Sequence, residues 1–258
     1  MIESQMEIPL TTIFAWSLLQ LSNVILVLVF LYLAFRMAEA KWSYKISKPF
    51  PWDQAIGKGT ISKKLRRAEK FYRDKVRFYT FWLQIERLKS DRIEGAFAEL
   101  GVYKGETARI IHLMDPSRRF LLFDTFSGFA KQDLDATGEE VNDVDFSDTD
   151  IEQVRQFISG NENVIFHAGY FPETARNLGD EKFAFVHLDA DLYAPTLAGL
   201  QHFYPRLQSG GVIIVHDYNH NWEGVRKAVD EFAPTISEVI VPVADWQGSV
   251  MIVKSKGI

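Results

Sequence analysis

From about residue 95 onward, short apolar runs alternate with helical stretches, and this order constrains the fold more than any other feature of the sequence. Some runs, such as residues 212–215, are apolar throughout, which indicates strands that are buried on both faces. A mostly parallel sheet covered by helices follows from that pattern. We predict seven strands, at residues 96–100, 120–124, 164–167, 183–189, 212–216, 238–243 and 250–253.

Helices are expected between these strands, near residues 105–114, 150–159, 173–178, 195–207 and 224–233. The pair Thr149 and Glu152 has the spacing of a capping box, which would start one of them. Only a short turn around Gln247 and Gly248 separates the last two strands, so they should pair antiparallel. The predicted fold is therefore α/β: a Rossmann-like, mostly parallel seven-stranded sheet with an antiparallel C-terminal hairpin.

An uncharged stretch runs from Ile8 to Phe35. A helix of that length extends roughly 40 Å, which exceeds the ~30 Å hydrocarbon core of a bilayer. Acids precede the stretch, whereas cations follow it at Arg36, Lys41, Lys45 and Lys48. The positive-inside rule therefore predicts a single-pass membrane protein with an N-terminal transmembrane helix and a large cytoplasmic domain.

Two other interpretations of this stretch stay open. A cleaved signal peptide would account for the small residues Ala38 and Ala40, but an acidic start and a long apolar core are atypical of one. A buried dimerisation helix in a soluble protein would normally carry more polar residues than Gln20 and Asn23. A homodimer is therefore compatible with the sequence, which does not define the oligomeric state.

We divide the chain into an N-terminal membrane anchor (1–45), a linker with basic amphipathic helices (46–92) and an α/β domain (93–258). In residues 60–90, cations alternate with aromatic residues. That pattern suits helices packed on the main domain, contact with anionic lipid, or contact with nucleic acid. The net charge of −5 gives no general reason to expect nucleic acid, and we predict none as a partner. The absence of cysteine excludes disulfides and thiolate metal sites.

The first predicted strand runs into a glycine loop, defined here as residues 99–105 (ELGVYKG). Gly101 permits a tight turn, and Gly105 lets the next helix start close to a ligand. The Gly-x-Gly-x-x-Gly spacing of a dinucleotide site is missing, which disfavours an NAD-dependent oxidoreductase. Glu99 instead suits a ligand with an ammonium group, and Asp124, at the end of the second strand, is expected to accept hydrogen bonds from both ribose hydroxyls of an adenosine.

Acids also follow the fourth and fifth strands. Asp189 and Asp191 close the fourth strand, and His216 and Asp217 close the fifth. Because neighbouring parallel strands end at the same edge of a sheet, we expect these four side chains, the acid–histidine cluster, to converge on one cleft. Oxygen ligands with open coordination positions suit a hard divalent cation such as Mg²⁺.

Six motifs in the predicted order carry a resemblance to a known family. They lie at 97–107 (FAELGVYKGET), 124–128 (DTFSG), 169–174 (GYFPET), 187–193 (HLDADLY), 210–218 (GGVIIVHDY) and 224–232 (GVRKAVDEF). On these motifs, residues 93–254 resemble the macrocin O-methyltransferase (TylF-like) family, which methylates sugar hydroxyls of macrolides and related glycosides. The resemblance implies a class I methyltransferase fold and S-adenosyl-L-methionine (SAM) as the cofactor. It does not extend to residues 1–60.

The resemblance also implies roles for particular residues. Asp189 and Asp217 correspond to magnesium ligands, and Asp191 corresponds to the proposed general base. His216 stands where the family has an acid; an imidazole can still ligate, but it favours softer cations than Mg²⁺. The implied cofactor contacts are Glu99, Gly101, Tyr103, Gly105, Asp124, Ser127 and Gly169.

The predicted function is SAM-dependent O-methylation of a hydroxyl on a sugar or glycoconjugate, assisted by Mg²⁺ or another divalent cation. The alternative is a non-catalytic, membrane-anchored scaffold that retains a methyltransferase fold, and His216 is its only support in the sequence.

Overall fold

The computed structural model describes residues 10–137 and 146–255. The chain divides into two compact units, Met1–Gln54 and Ala55–Ile258. Helix α1 (Leu10–Ser47) belongs to the first unit, and α2 (Phe50–Gly57) begins in it. The segment Trp16–Glu39 of α1 is apolar, 24 residues long and entirely unburied. By length and composition it is the candidate membrane span among the described residues.

The second unit opens with two helices, α3 (Lys63–Phe71) and α4 (Lys75–Ser90). Each is capped by the residue before it, since the Ser62 hydroxyl accepts from the Leu65 amide at 3.1 Å and the Asp74 carboxylate accepts from the Arg77 amide at 2.9 Å. Such caps satisfy amide groups that have no partner within the helix. The remaining helices are α5 (Glu106–Met114), α6 (Lys131–Thr137), α7 (Ile151–Ile158), α8 (Tyr193–Phe203) and α9 (Glu223–Phe232).

The seven strands form one sheet in the order β3-β2-β1-β4-β5-β7-β6. Strand β7 runs antiparallel to both of its neighbours, and the other described pairings are parallel. The predicted α/β fold with an antiparallel C-terminal hairpin is confirmed. The strands are β1 (Ala96–Leu100), β2 (Phe120–Asp124), β3 (Val164–Ala168), β4 (Phe183–Leu188), β5 (Leu207–Val215), β6 (Val241–Pro242) and β7 (Val250–Val253).

Several local predictions were wrong. Strand β6 covers only Val241–Pro242 of the predicted 238–243, and α8 ends at Phe203, four residues earlier than predicted. Strand β5 begins at Leu207, five residues earlier than predicted, because its polar first half pairs with the chain around Lys254. The helix predicted at 173–178 is one 3₁₀ turn, Glu173–Ala175. The capping box is also absent: Asp150 caps α7 by accepting from the Gln153 amide, and the Thr149 hydroxyl donates elsewhere, to the Tyr103 carbonyl.

Helices cover both faces of the sheet. On one face, α8 packs against β4 and α9; on the other, α4 packs against β5 and α5. The Phe81 ring of α4 lies 5.5 Å from Phe185 and 4.9 Å from His187, centroid to centroid. The aromatic side chains of α4 are thus core residues, as the packing interpretation of this basic region predicts. Burial of each such ring stabilises the fold by about 2–3 kcal/mol.

Candidate active site

A cavity of about 440 Å³ opens at the carboxyl edge of the sheet. Its walls include the ends of β1 and β4, the two adjacent strands at which the strand order reverses. Open α/β sheets bind ligands at this reversal, because the loops after the two strands diverge there and leave a crevice. Residues 100–105 of the glycine loop and the acid–histidine cluster lie on the walls of this one cavity.

Gly101 lies where the glycine loop passes closest to β4. Its φ is +86°, and an ideally placed Cβ would lie 1.9 Å from the carbonyl oxygen of Asp189. The Asp189 amide donates to the Leu100 carbonyl at 2.8 Å, which fixes the two strand ends side by side. A side chain at position 101 is therefore excluded by conformation and by space.

The carboxylate of Asp124 holds the glycine loop from the other side. One oxygen accepts from the amides of Val102 and Tyr103, at 2.6 and 2.8 Å, and the other accepts from the Phe126 amide at 2.7 Å. Two donors occupy the first oxygen, and one acceptor site stays open on the second. Asp124 can therefore accept from one ribose hydroxyl while it fixes the loop; the expectation that it takes both hydroxyls does not fit this geometry.

The described ends of the acidic segment 133–152 cover the glycine loop. The Phe146 ring lies 5.0 Å from Tyr103, and Asp148 accepts from the Tyr103 hydroxyl at 2.5 Å. Asp133, at the other end, is buried and accepts from the Tyr170 hydroxyl at 2.7 Å. The described ends of the segment therefore form part of the cavity wall.

Two residues predicted to bind the cofactor do not line the cavity. Ser127 is exposed on the loop after β2. Glu99 is buried in the sheet, where one carboxyl oxygen lies 2.9 Å from Nδ1 of His187 and the other has no partner. Burial, with the charges of Asp189 and Asp124, raises the pKa of Glu99 well above its ordinary value. Gly101, Tyr103, Gly105, Asp124 and Gly169 all lie on the wall.

The acid–histidine cluster comes together as predicted. Nδ1 of His216 lies 2.7 Å from an oxygen of Asp189 and 2.7 Å from an oxygen of Asp217. Burial opposes a charge on this ring, but Asp189 and the two hydrogen bonds outweigh burial and raise the pKa of His216 to about 10. In the same way, the charge of His216 outweighs burial and lowers the pKa of Asp189.

This cluster also has unused donor atoms. Oδ1 of Asp217 and Nε2 of His216 are buried and have no hydrogen-bond partner. One ligand atom from each of Asp189, His216 and Asp217 lies within 4.8 Å of the others. Two carboxylates and an imidazole at this spacing fit a divalent cation with open coordination positions.

Asp191 is the fourth member of the cluster. Its φ is +59°, a conformation that non-glycine residues rarely adopt and that is common at functional sites. Burial, together with the charges of Asp189 and Asp217, raises the pKa of Asp191 well above its ordinary value. A carboxylate with a raised pKa is a stronger base, so this arrangement suits proton abstraction.

One part of the cavity wall was not predicted. Arg77, on α4, reaches the cavity, and its Nε lies 3.6 Å from a carboxylate oxygen of the buried Asp245. Its other nitrogens lie 3.1 Å from the Gln247 amide oxygen and 3.5 Å from the Tyr72 hydroxyl. The Tyr72 hydroxyl in turn lies 3.3 Å from Thr107, at the start of α5. We call Tyr72, Arg77, Asp245 and Gln247 the arginine network.

Comparison with known proteins agrees with this geometry. Residues 74–250 match the family described as Macrocin-O-methyltransferase (TylF). Over 182 residues, the chain is 30% identical to the mycinamicin III 3''-O-methyltransferase of Micromonospora griseorubida; the match covers 64% of this chain and 70% of that enzyme.

A second relative is 8-demethyl-8-(2,3-dimethoxy-alpha-L-rhamnosyl)-tetracenomycin-C 4'-O-methyltransferase of Streptomyces olivaceus. It is 28% identical over 148 residues, which are 52% of this chain and 57% of that enzyme. Among solved structures, the O-methyltransferase NovP superposes with a TM-score of 0.60 at 22% identity, over 70% of this chain and 81% of NovP. At that identity the likeness concerns the fold.

Proposed function

Since this chain belongs to the macrocin O-methyltransferase (TylF) family, we propose that it transfers a methyl group from SAM to a hydroxyl of a sugar or glycoconjugate. The observation that carries the proposal is the placement of the glycine loop and the acid–histidine cluster on one cavity. An adenosyl ligand held by the loop would lie in the same cavity as Asp191. The alternative of an inactive scaffold gains no support, because all four members of the described cluster lie on the cavity wall, with His216 and Asp217 buried.

The glycine loop and Asp124 would hold the cofactor. The backbone of Gly101 can approach the ligand closely, and the remaining acceptor site of Asp124 suits a ribose hydroxyl. Glu99 lies beneath this wall, so it would reach the ligand's ammonium group only through a small movement of the loop. Gly169, whose amide donates to the Asp124 carbonyl at 2.9 Å, fixes the opposite wall.

Asp191 would be the general base. A sugar hydroxyl is a weak nucleophile, because its pKa lies far above 7. As its oxygen forms a bond to the methyl carbon, the bond from that carbon to the sulfonium sulfur breaks and the hydroxyl proton passes to the Asp191 carboxylate. The products are a methyl ether and S-adenosylhomocysteine. The protein contributes alignment and a base, whereas SAM supplies the electrophile.

Asp189, His216 and Asp217 would hold a divalent cation. The unpartnered Oδ1 of Asp217 and Nε2 of His216 fit that role. When bound, such a cation lowers the pKa of a hydroxyl that contacts it. His216 makes the set less negative than three carboxylates would be, so we expect weaker Mg²⁺ binding and a preference for a softer divalent metal.

The acceptor side of the cavity fits a sugar. Its aromatic wall includes Phe129 and Trp222, whose ring centroids lie 6.0 Å apart. Aromatic rings pack on the apolar C–H face of a pyranose, while the acids bind its hydroxyls. Both curated relatives named above are sugar O-methyltransferases by name, which supports the same class of acceptor.

The apolar helix α1 would anchor the enzyme. The segment Trp16–Glu39 is long enough to span a bilayer, and by the positive-inside rule the cations that follow it favour a cytoplasmic position for the second unit. A cytoplasmic position gives the cavity access to SAM and favours a lipid-linked glycoconjugate as the acceptor.

Binding and transfer test the proposal separately. Calorimetric titration of the detergent-solubilised full chain should detect binding of SAM and S-adenosylhomocysteine. Radiolabelled SAM should methylate a component of a glycolipid extract from the source cells. Asp191→Asn should retain SAM binding but lose transfer by about 10²–10⁴-fold, whereas Asp180→Asn, an exposed acid outside the cavity, should change neither. Absence of binding by both ligands at millimolar concentration would overturn the proposal.

A further inference from the structure

We propose that the exposed cations around α3 dock the second unit on an anionic lipid surface. We call this set the basic face. Its members are exposed side chains between residues 58 and 73: Lys58, Lys63, Lys64, Arg66, Arg67, Lys70 and Arg73. The inference rests on the membrane-anchored part of the proposed function and does not depend on methyl transfer.

The cations of the basic face are not paired with acidic side chains among the described residues. Among the described residues, none of its members takes part in an ion pair. The acid of α3, Glu69, points inward: it is 2% exposed and accepts from the Tyr79 hydroxyl at 3.0 Å. Leu65 lies on the same inward side. The helix therefore directs its acid to the interior and its cations to solvent, which a charge-balanced surface helix would not do.

An exposed aromatic ring adjoins these cations. Phe71, the last residue of α3, is 76% exposed, whereas the next residue, Tyr72, is buried. Because its ring is exposed, Phe71, which lies beside Lys70 and Arg73, contributes little burial free energy to the fold. At a membrane interface, the ring can enter the boundary between headgroups and acyl chains while the neighbouring cations bind phosphate groups.

The chain itself favours lipid over other polyanions. The candidate span ends at Glu39, 19 residues before Lys58, so a spanning α1 would keep the basic face at high effective concentration near the headgroups. The face also adjoins the cavity wall, since the Tyr72 hydroxyl lies 3.3 Å from Thr107. Docking would therefore bring the α5 side of the cavity toward the bilayer, as a lipid-linked acceptor requires.

Because the chain has no cysteine, single cysteines can carry a probe. The full chain with Phe71→Cys is labelled with an environment-sensitive fluorophore and reconstituted in nanodiscs of phosphatidylcholine, with or without about 30% phosphatidylglycerol as the anionic lipid. The matched control is Val239→Cys, which is 77% exposed and distant in sequence. Co-elution of the protein with the discs reports insertion of α1 separately from the fluorophore signal.

We expect a blue shift at position 71 in the anionic discs, no shift at position 239, and loss of the shift in high salt. Each basic side chain near an anionic surface changes the ratio of docked to undocked protein by about fivefold, so removal of three should lower this ratio by on the order of 100-fold. The test variant replaces Lys64, Arg67 and Lys70 with glutamine. Its control makes the same change at three exposed cations elsewhere, Arg92, Lys131 and Lys182.

Three results would overturn the inference. An unshifted fluorophore at position 71 in anionic discs, in protein that co-elutes with them, means that the face does not dock. An equal loss of the blue shift in the test and control variants means that docking depends only on the net charge of the protein. A shift in neutral discs on addition of RNA, or of inorganic phosphate alone, assigns the face to those ligands. Failure to co-elute with the discs refutes the spanning helix and, with it, the docking.

Discussion

Gly101→Ala perturbs the point where the glycine loop meets the acid–histidine cluster. The added methyl group faces the carbonyl oxygen of Asp189 at 1.9 Å, and the backbone at position 101 has a φ of +86°. Both strand ends must separate to admit it, so the substitution should disturb the cofactor wall and the catalytic wall together. A loss confined to either wall would contradict the close approach that the structure describes.

The expected cost follows from the contacts. An L-residue in the left-handed region costs about 1–2 kcal/mol. The methyl group must move away by about 1.1 Å to reach the 3.0 Å that real Cβ atoms require, which breaks the bonds from the Asp189 amide to Leu100 and from the Gly101 amide to Phe123. At about 1 kcal/mol each, the total loss is about 3–4 kcal/mol, which most domains survive.

Gly179→Ala isolates the part of the destabilisation that comes from backbone conformation alone. Gly179 has a φ of +58°, and a Cβ added there would have nothing within 4 Å of it, so its substitution should cost only the 1–2 kcal/mol of the left-handed backbone. Urea unfolding of both variants, each as the full chain in detergent, should differ by about 2 kcal/mol. Methyl transfer from SAM should be about 100-fold slower in Gly101→Ala, because a displacement near 1 Å has that effect on the alignment of reacting groups, and unchanged in Gly179→Ala. Equal stabilities with an unchanged rate of transfer would refute the reasoning.

Three further predictions concern charge. Arg77→Gln should lower the free energy of unfolding by about 3 kcal/mol, because it leaves the buried Asp245 without its cation; Arg73→Gln, at an exposed position of the same segment, should stay within about 0.5 kcal/mol in the same urea titration. His216→Asp should tighten Mg²⁺ binding about tenfold by calorimetry, since a third carboxylate replaces an imidazole that must lose its proton before it can bind a cation, and unchanged affinity would contradict a metal site there. Burial, with the charge of Arg206, lowers the pKa of His202 to about 4 from 6.5. Because the unfolded chain binds this proton more tightly, the free energy of unfolding falls as pH drops below 6.5. His202→Phe should remove about 1–2 kcal/mol of that fall, a figure reduced for the partial exposure of the side chain. Urea midpoints near pH 7 and about pH 4.5 measure it, and an unchanged slope would exclude His202 as the source.

Much of the fold could be predicted because buried parallel strands are apolar on both faces. Residues 120–124 and 183–188 show this directly. The first half of β5 could not be found in this way, since Gln208, Ser209 and two glycines do not form an apolar run. These residues join the sheet through the chain around Lys254. The paired residues are more than 40 positions apart in the sequence, so the pattern of polar and apolar residues around β5 does not indicate this contact.

The site was predictable where topology alone decides it. Strand ends that are adjacent in a parallel sheet bring their following residues together, so Asp189, Asp191, His216 and Asp217 converge as expected. Topology does not say how deep a side chain lies. Glu99 belongs to the strand and faces His187 within the sheet, whereas Ser127 lies beyond the turn and faces solvent. Both belong to the expected motifs, yet neither reaches the cavity wall.

Arg77 was missed although the sequence contains a signal for it. In a helix, residues four apart share a face, and Phe81, Ile85 and Leu88 mark the apolar face of α4. Arg77 precedes Phe81 by four positions, so a strict helical projection puts it on the buried face, apart from the solvated cations of α3. A cation on an apolar face requires a buried acid, and that acid is Asp245, 168 residues later in the chain. The sequence could therefore have indicated that Arg77 is buried, but its partner and its place at the cavity follow only from the folded chain.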